Sequence, residues 1–119
     1  MSPRDKPLVW LKGEVKTPPL SDAARVEAGF LLRRLQRGDL LGLPASRPMP
    51  TIGTGCHELR VRDGDANWRV MYHLADDAVV VLDVFAKKTG TTPKAVLDAC
   101  RQRLAKYHKA TKGTRDARW

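Results

Sequence analysis

The sequence predicts an α+β domain, a mainly antiparallel four-stranded sheet with helices packed on one face, in the order strand, helix, loop, three strands, helix. Three observations lead there. Residues 57–85 contain three successive strand-like runs, two alternating and one continuously apolar, with only turn-sized gaps between them. Gaps that short suit an antiparallel meander, because a parallel crossover needs a dozen or more residues. Segments with helical apolar spacing lie on either side of the meander, and helices gathered against an antiparallel sheet make the α+β class. At 119 residues the chain has the length of one domain with a single core. Residues 1–7 read as a flexible leader, 8–110 as the domain, and 111–119 as a disordered basic tail.

Leu8-Val9-Trp10-Leu11 is the first strand, stopped by Thr17-Pro18-Pro19. Ser21-Asp22 caps a helix that runs to about Arg37. Ala24, Ala28, Leu31, Leu32 and Leu35 form its apolar stripe, and Gly38 is the left-handed stop. Residues 38–55, rich in Gly and Pro, read as a long loop anchored by Leu40, Leu41 and Leu43. The meander then runs His57–Arg62, Trp68–Leu74 and Ala78–Phe85, turning at Asp63-Gly64-Asp65 and Asp76-Asp77. Thr92-Pro93 opens the last helix with proline at its favoured first position. Val96, Leu97, Cys100, Leu104 and Tyr107 trace that helix's buried stripe.

Composition excludes several classes of function. With 42% hydrophobic and 29% charged residues the chain is globular rather than disordered. No apolar run approaches the ~20 residues that span a bilayer, and the first residues lack a signal-peptide core. Cys56 and Cys100 stand far apart with no CxxC partner, so a reduced, cytoplasmic protein with two unpaired thiols is the simplest account. The histidines lack ligand spacing, and no metal site is expected.

The net charge of +9 is concentrated near the end of the chain. Residues 86–119 hold ten Lys/Arg against two Asp/Glu, whereas the preceding residues hold twelve against eleven. A field so asymmetric suits a polyanionic partner, nucleic acid or an acidic protein, although a solvated helix face gives the same count. Strand alternation also sorts side chains by face. Leu59 and Val61 oppose Glu58, Arg60 and Arg62; Trp68, Val70, Tyr72 and Leu74 oppose Arg69, Met71 and His73; Val80, Leu82 and Val84 oppose Val81, Asp83, Phe85 and Lys87. With helices on the apolar face, the other face would present Glu58, Arg60, Arg62, Arg69, His73, Asp83 and Lys87, a cradle for a phosphodiester. Cross-strand ion pairing on a wet sheet face is the plainer account.

The series Cys56-His57-Glu58-Leu59-Arg60, Trp68-Arg69-Val70-Met71-Tyr72, Val84-Phe85-Ala86-Lys87-Lys88-Thr89 and Thr92-Pro93 resembles the RelE/HigB superfamily of bacterial toxins, in its phage-derived, host-killing branch. The resemblance extends over residues 8–108 and agrees with the element order. It implies the toxin of a type II toxin–antitoxin pair, a metal-independent endoribonuclease that cleaves mRNA, on the ribosome in many relatives, by 2′-hydroxyl attack. It also implies no cofactor, no membrane, and a co-expressed antitoxin, expected to be of helix-turn-helix type. Arg69 falls at the position of the phosphate-stabilising arginine and Arg60 at a second basic position. Lys87 and Lys88 stand where many relatives carry a histidine or tyrosine for acid–base work, so here a lysine of lowered pKa must move the proton or the pair serves as a clamp. Glu58 and His73 are candidates for a base or an orienting group, each with a plainer role as a partner or surface residue. Arg62, Lys94 and Arg101 are expected to bind the RNA backbone. The alternative is a toxin-fold protein that cuts nothing and inhibits a macromolecule such as DNA gyrase.

Overall fold

In the computed structural model, which describes residues 5–88 and 90–116, a five-stranded mixed sheet is covered by one helix on each face. The strands are β1 (Leu8–Trp10), β2 (Ser46–Pro48), β3 (Cys56–Asp63), β4 (Ala66–Leu74) and β5 (Val79–Ala86), and the helices are α1 (Asp22–Gln36) and α2 (Lys94–Asp116). The sheet order is β1-β5-β4-β3-β2, with β1 parallel to β5 and every other pair antiparallel.

This differs from the expected four-stranded sheet in two respects. Ser46-Arg47-Pro48, inside the segment read as a loop, pairs with Leu59, Glu58 and His57 as an edge strand, a position that tolerates proline. The helices also lie on opposite faces. Ala24, Ala28, Leu31, Leu32 and Leu35 of α1 pack on Leu59, Val61, Val70, Tyr72, Val79 and Val81. On the other side Cys100 and Leu104 of α2 pack on Cys56, Met71, Val80 and Leu82. Each fully buried leucine contributes about 1.5–3 kcal/mol, so both faces are substantial cores.

The helix ends follow local signals. Ser21 Oγ accepts from the Ala24 N–H, and Gly38 takes φ +94 after the last turn of α1. The Pro93 carbonyl accepts from the N–H groups of Val96 and Leu97, so proline sits at the cap and Lys94 at the first helical position. α2 continues to Asp116, past Ala110 and into the segment expected to be a tail; residues 117–119 lie outside the described residues.

A register shift changes which face β5 presents. Met71 pairs with Asp83 but Tyr72 with Val81, leaving Leu82 as an extra residue. Before the bulge Val79 and Val81 face α1; after it Val84 does. Val80 and Leu82 therefore face α2, not the side that simple alternation assigned them. Gly13 fits the other flank of β5 closely. It takes φ +84, and a Cβ there would lie 2.8 Å from Val84 Cβ and 2.9 Å from its backbone nitrogen. Gly13→Ala is expected to cost about 2 kcal/mol or more through strain and backbone displacement, read as a lower midpoint in thermal melts.

Candidate active site

At the end of the sheet that α2 leaves uncovered, four cations surround one buried carboxylate. Glu58 lies mid-β3 with no exposed surface. Its Oε1 is 3.3 Å from Arg69 Nε, 3.8 Å from Arg60 Nε and 3.8 Å from Arg47 Nη2, and its Oε2 is 3.8 Å from Lys87 Nζ. Thr92 Oγ1, just ahead of α2, reaches Glu58 Oε2 at 3.4 Å. The register explains the gathering. Arg60 pairs with Arg69 across β3–β4, Arg47 with Glu58 across β2–β3, and the Lys87 N–H donates to the Asn67 carbonyl at 2.7 Å, fixing the end of β5 against β4.

The contacts at 3.8 Å are charge contacts rather than hydrogen bonds, so the donor hydrogens of these side chains are not used up on Glu58. Among the described residues Glu58 Oε1 and Arg69 Nε find no hydrogen-bond partner, although they face each other. Arg69 and Lys87 are nearly enclosed, their side chains 8% and 6% exposed, while Arg60 and Arg47 are open at 39% and 46%. Burial pushes the Lys87 ammonium below its ordinary 10.5; Glu58 pulls it back, and Arg69, Arg47 and Arg60 push it down again. Burial lowers Arg69 in the same way against the pull of Glu58.

These residues line a shallow pocket of about 340 Å³ formed by Arg47, Arg60, Asn67, Arg69, Lys87, Lys88 and Gly90. Lys88 is exposed at its rim. Of the sequence-predicted residues, the structure thus brings together Arg60, Arg69, Lys87, Lys88 and Glu58. Arg47 is an addition that the sequence reading missed, because it sits on the unforeseen edge strand.

The other candidates lie elsewhere. Arg62 is exposed in an adjoining pocket, and Lys94 is exposed on the first turn of α2. Arg101 Nε donates to the Thr51 carbonyl at 2.6 Å and its Nη1 meets Asp98 at 2.8 Å, which ties α2 to the loop before β3. Asp83 pairs with Arg103 at 3.4 Å. His57 stacks on Tyr72, which is itself buried and hydrogen-bonded to Ser46, so both belong to the packing. Cys56 and Cys100 are free buried thiols whose pKa burial pushes up to about 11.

His73, expected beside Arg69 on an open face, is instead a buried neighbour of α2. Its Nδ1 lies 3.7 Å from Cys56 Sγ and its Nε2 3.4 Å from His108 Nε2. It shares a face with Arg69, but four strand residues cover about 13 Å. Burial holds its pKa below 6.5, and His108 lowers it further. The unfolded chain therefore binds a proton more readily, and this group's stability, full above pH 6.5, is lost as pH falls through its folded pKa. Melting midpoints measured from pH 7.5 to 5 are expected to fall more steeply in the wild type than in His73→Gln.

Fold and site together define a small α+β domain with a cationic pocket at one end of its sheet. Among the described residues no helix is long and apolar enough to cross a membrane. The chain belongs to the family of phage-derived Gp49-like proteins (DUF891), whose model matches residues 18–105, a span that contains every residue of the cation cluster. That family is toxin-like, of the kind found in toxin–antitoxin systems. No curated protein matches the chain.

Proposed function

We propose that this protein is the toxin of a type II toxin–antitoxin pair in the RelE/HigB superfamily, and that it cleaves mRNA without a metal by 2′-hydroxyl attack. One observation carries the reading: Arg47, Arg60, Arg69 and Lys87 line one pocket, wide enough to admit a phosphodiester, and the lysine among them has a lowered pKa. In the reaction the 2′-oxygen bonds to phosphorus and its proton leaves to water. The P–O5′ bond breaks, and the departing oxygen takes a proton from Lys87 Nζ. Arg69, Arg60 and Arg47 stabilise the added negative charge on the phosphorane. Glu58, enclosed and held by cations, is the orienting counter-charge rather than the base. The family membership supports an antitoxin partner, and the basic balance of the last third of the chain fits an acidic segment of that partner or ribosomal RNA.

Expression of the chain alone tests the proposal. Growth arrest with loss of full-length transcripts, abolished by Arg69→Ala, is the expected result. Arrest with intact transcripts and impaired DNA supercoiling would replace it with gyrase inhibition.

A further inference from the structure

A larger pocket, of about 570 Å³, adjoins the cation pocket and shares Arg60, Asn67 and Arg69 with it. Its other walls differ in character. Pro44 and Ala45 give apolar surface, Arg62 a guanidinium plane, and Glu27 of α1 a carboxylate, over a floor that includes the buried Val61. Glu27 is exposed, and its carboxylate makes no ion pair among the described residues although Arg60 and Arg62 line the same pocket. Apolar walls, a flat guanidinium and a few hydrogen-bonding groups are what an unstacked RNA base requires, next to the place where its phosphate would lie.

We propose that this pocket is a guanine subsite, with Glu27 as the residue that selects the base; the proposal rests on the ribonuclease reading above. An ionised carboxylate only accepts hydrogen bonds, through two oxygens. Guanine alone among the four RNA bases offers two adjacent donors, N1–H and the N2 amino group, on its Watson–Crick edge. Adenine and cytosine set a donor beside an acceptor, and uracil places one donor between two acceptors. Each would leave an acceptor of its own against Glu27. The Asn67 amide, on the boundary between the two pockets, carries both a donor and an acceptor and can meet the remaining base edge. Arg60 and Arg69, common to both pockets, would hold the phosphate attached to the selected nucleoside.

Equilibrium binding of the four nucleoside 3′-monophosphates to the full chain tests this, alongside mapping of the ends produced on a defined RNA. Guanosine 3′-monophosphate is expected to bind about tenfold tighter than uridine 3′-monophosphate, the discrimination of one bidentate base contact. That ratio should fall below about twofold in Glu27→Gln, and RNA ends should sit beside guanosine in the wild type only. Equal binding of the four nucleotides, or a preference that survives Glu27→Gln, overturns the subsite while RNA cleavage leaves the ribonuclease reading standing. A guanine preference without RNA cleavage upholds the subsite as a free-nucleotide site and removes that reading. Failure of every nucleotide and of inorganic phosphate to bind overturns both.

Discussion

Glu58→Gln is expected to lower folding stability by about 3 kcal/mol and, in the same protein, to raise affinity for inorganic phosphate at least about tenfold. Both effects come from one piece of geometry. The Glu58 carboxylate is fully buried, with Arg69 at 3.3 Å and Lys87, Arg60 and Arg47 at 3.8 Å. Removing one partner of a buried charge pair leaves the others uncompensated, and here Arg69 and Lys87 are themselves nearly enclosed. Glutamine keeps the volume and can still accept from Thr92, so the loss falls at the lower end of the range for broken buried pairs. The positive potential that destabilises the variant is the potential that attracts an anion. In the wild type Glu58 already occupies part of it, so phosphate must compete with an internal carboxylate. Melting midpoints recorded against phosphate concentration separate the two effects. The variant should start lower and rise more steeply, because a ligand that binds only the folded state stabilises it by mass action. A variant that melts with the wild type, or that gains no more from phosphate, would remove Glu58 from the centre of the cluster.

How much of this could be read from sequence depended on whether the signal was local. The cap, stripe and stop of α1 were legible because Ser21, the apolar spacing and Gly38 act within the helix itself. The hairpin at Gly64 was legible for the same reason: its φ of +60 is the conformation that a two-residue loop reserves for glycine. Partners distant in sequence left no such mark. Nothing in Leu8–Trp10 specifies a parallel partner in β5, and nothing in Ser46-Arg47-Pro48 specifies a place on the edge of β3. β5 reads Val-Val-Val-Leu across its first half, so alternation could not reveal the bulge at Leu82 or the change of face that follows it. The site shows the same division. Alternation placed Glu58, Arg60, Arg69 and Lys87 on one face, and the structure brings them together. Alternation gives no position along a strand, which is why His73 shared that face on paper yet lies under α2 beside His108. Arg47 was missed together with its strand, and Arg101 appeared as a free cation because its carbonyl partner, Thr51, sits in the same unread loop.

Lys87→Ala is expected to reduce RNA cleavage by about 10²–10⁴-fold, the range that positioned proton transfer supplies. Arg69→Ala should cost about 10²–10³-fold, the range for losing one preorganised charge donor. The two losses differ in kind, and Lys87→Arg separates them. Arginine keeps the positive charge but does not release its proton in the accessible pH range. If Lys87 moves a proton, Lys87→Arg keeps KM near the wild-type value and loses kcat; if Lys87 is a clamp, the arginine variant cleaves nearly as well as the wild type. The pH profile supplies a second, independent readout. Loss of the 2′-hydroxyl proton to solvent makes the rate rise with pH until Lys87 deprotonates, so log kcat should climb and then level off. Burial and the three neighbouring arginines place that break below the 10.5 of an ordinary lysine, and Glu58 limits how far it moves. Lys87→Ala and Lys87→Arg should both lack the break at their lower rates. A break that persists in both variants would assign the proton to another group, with Lys88 at the pocket rim the next residue to replace.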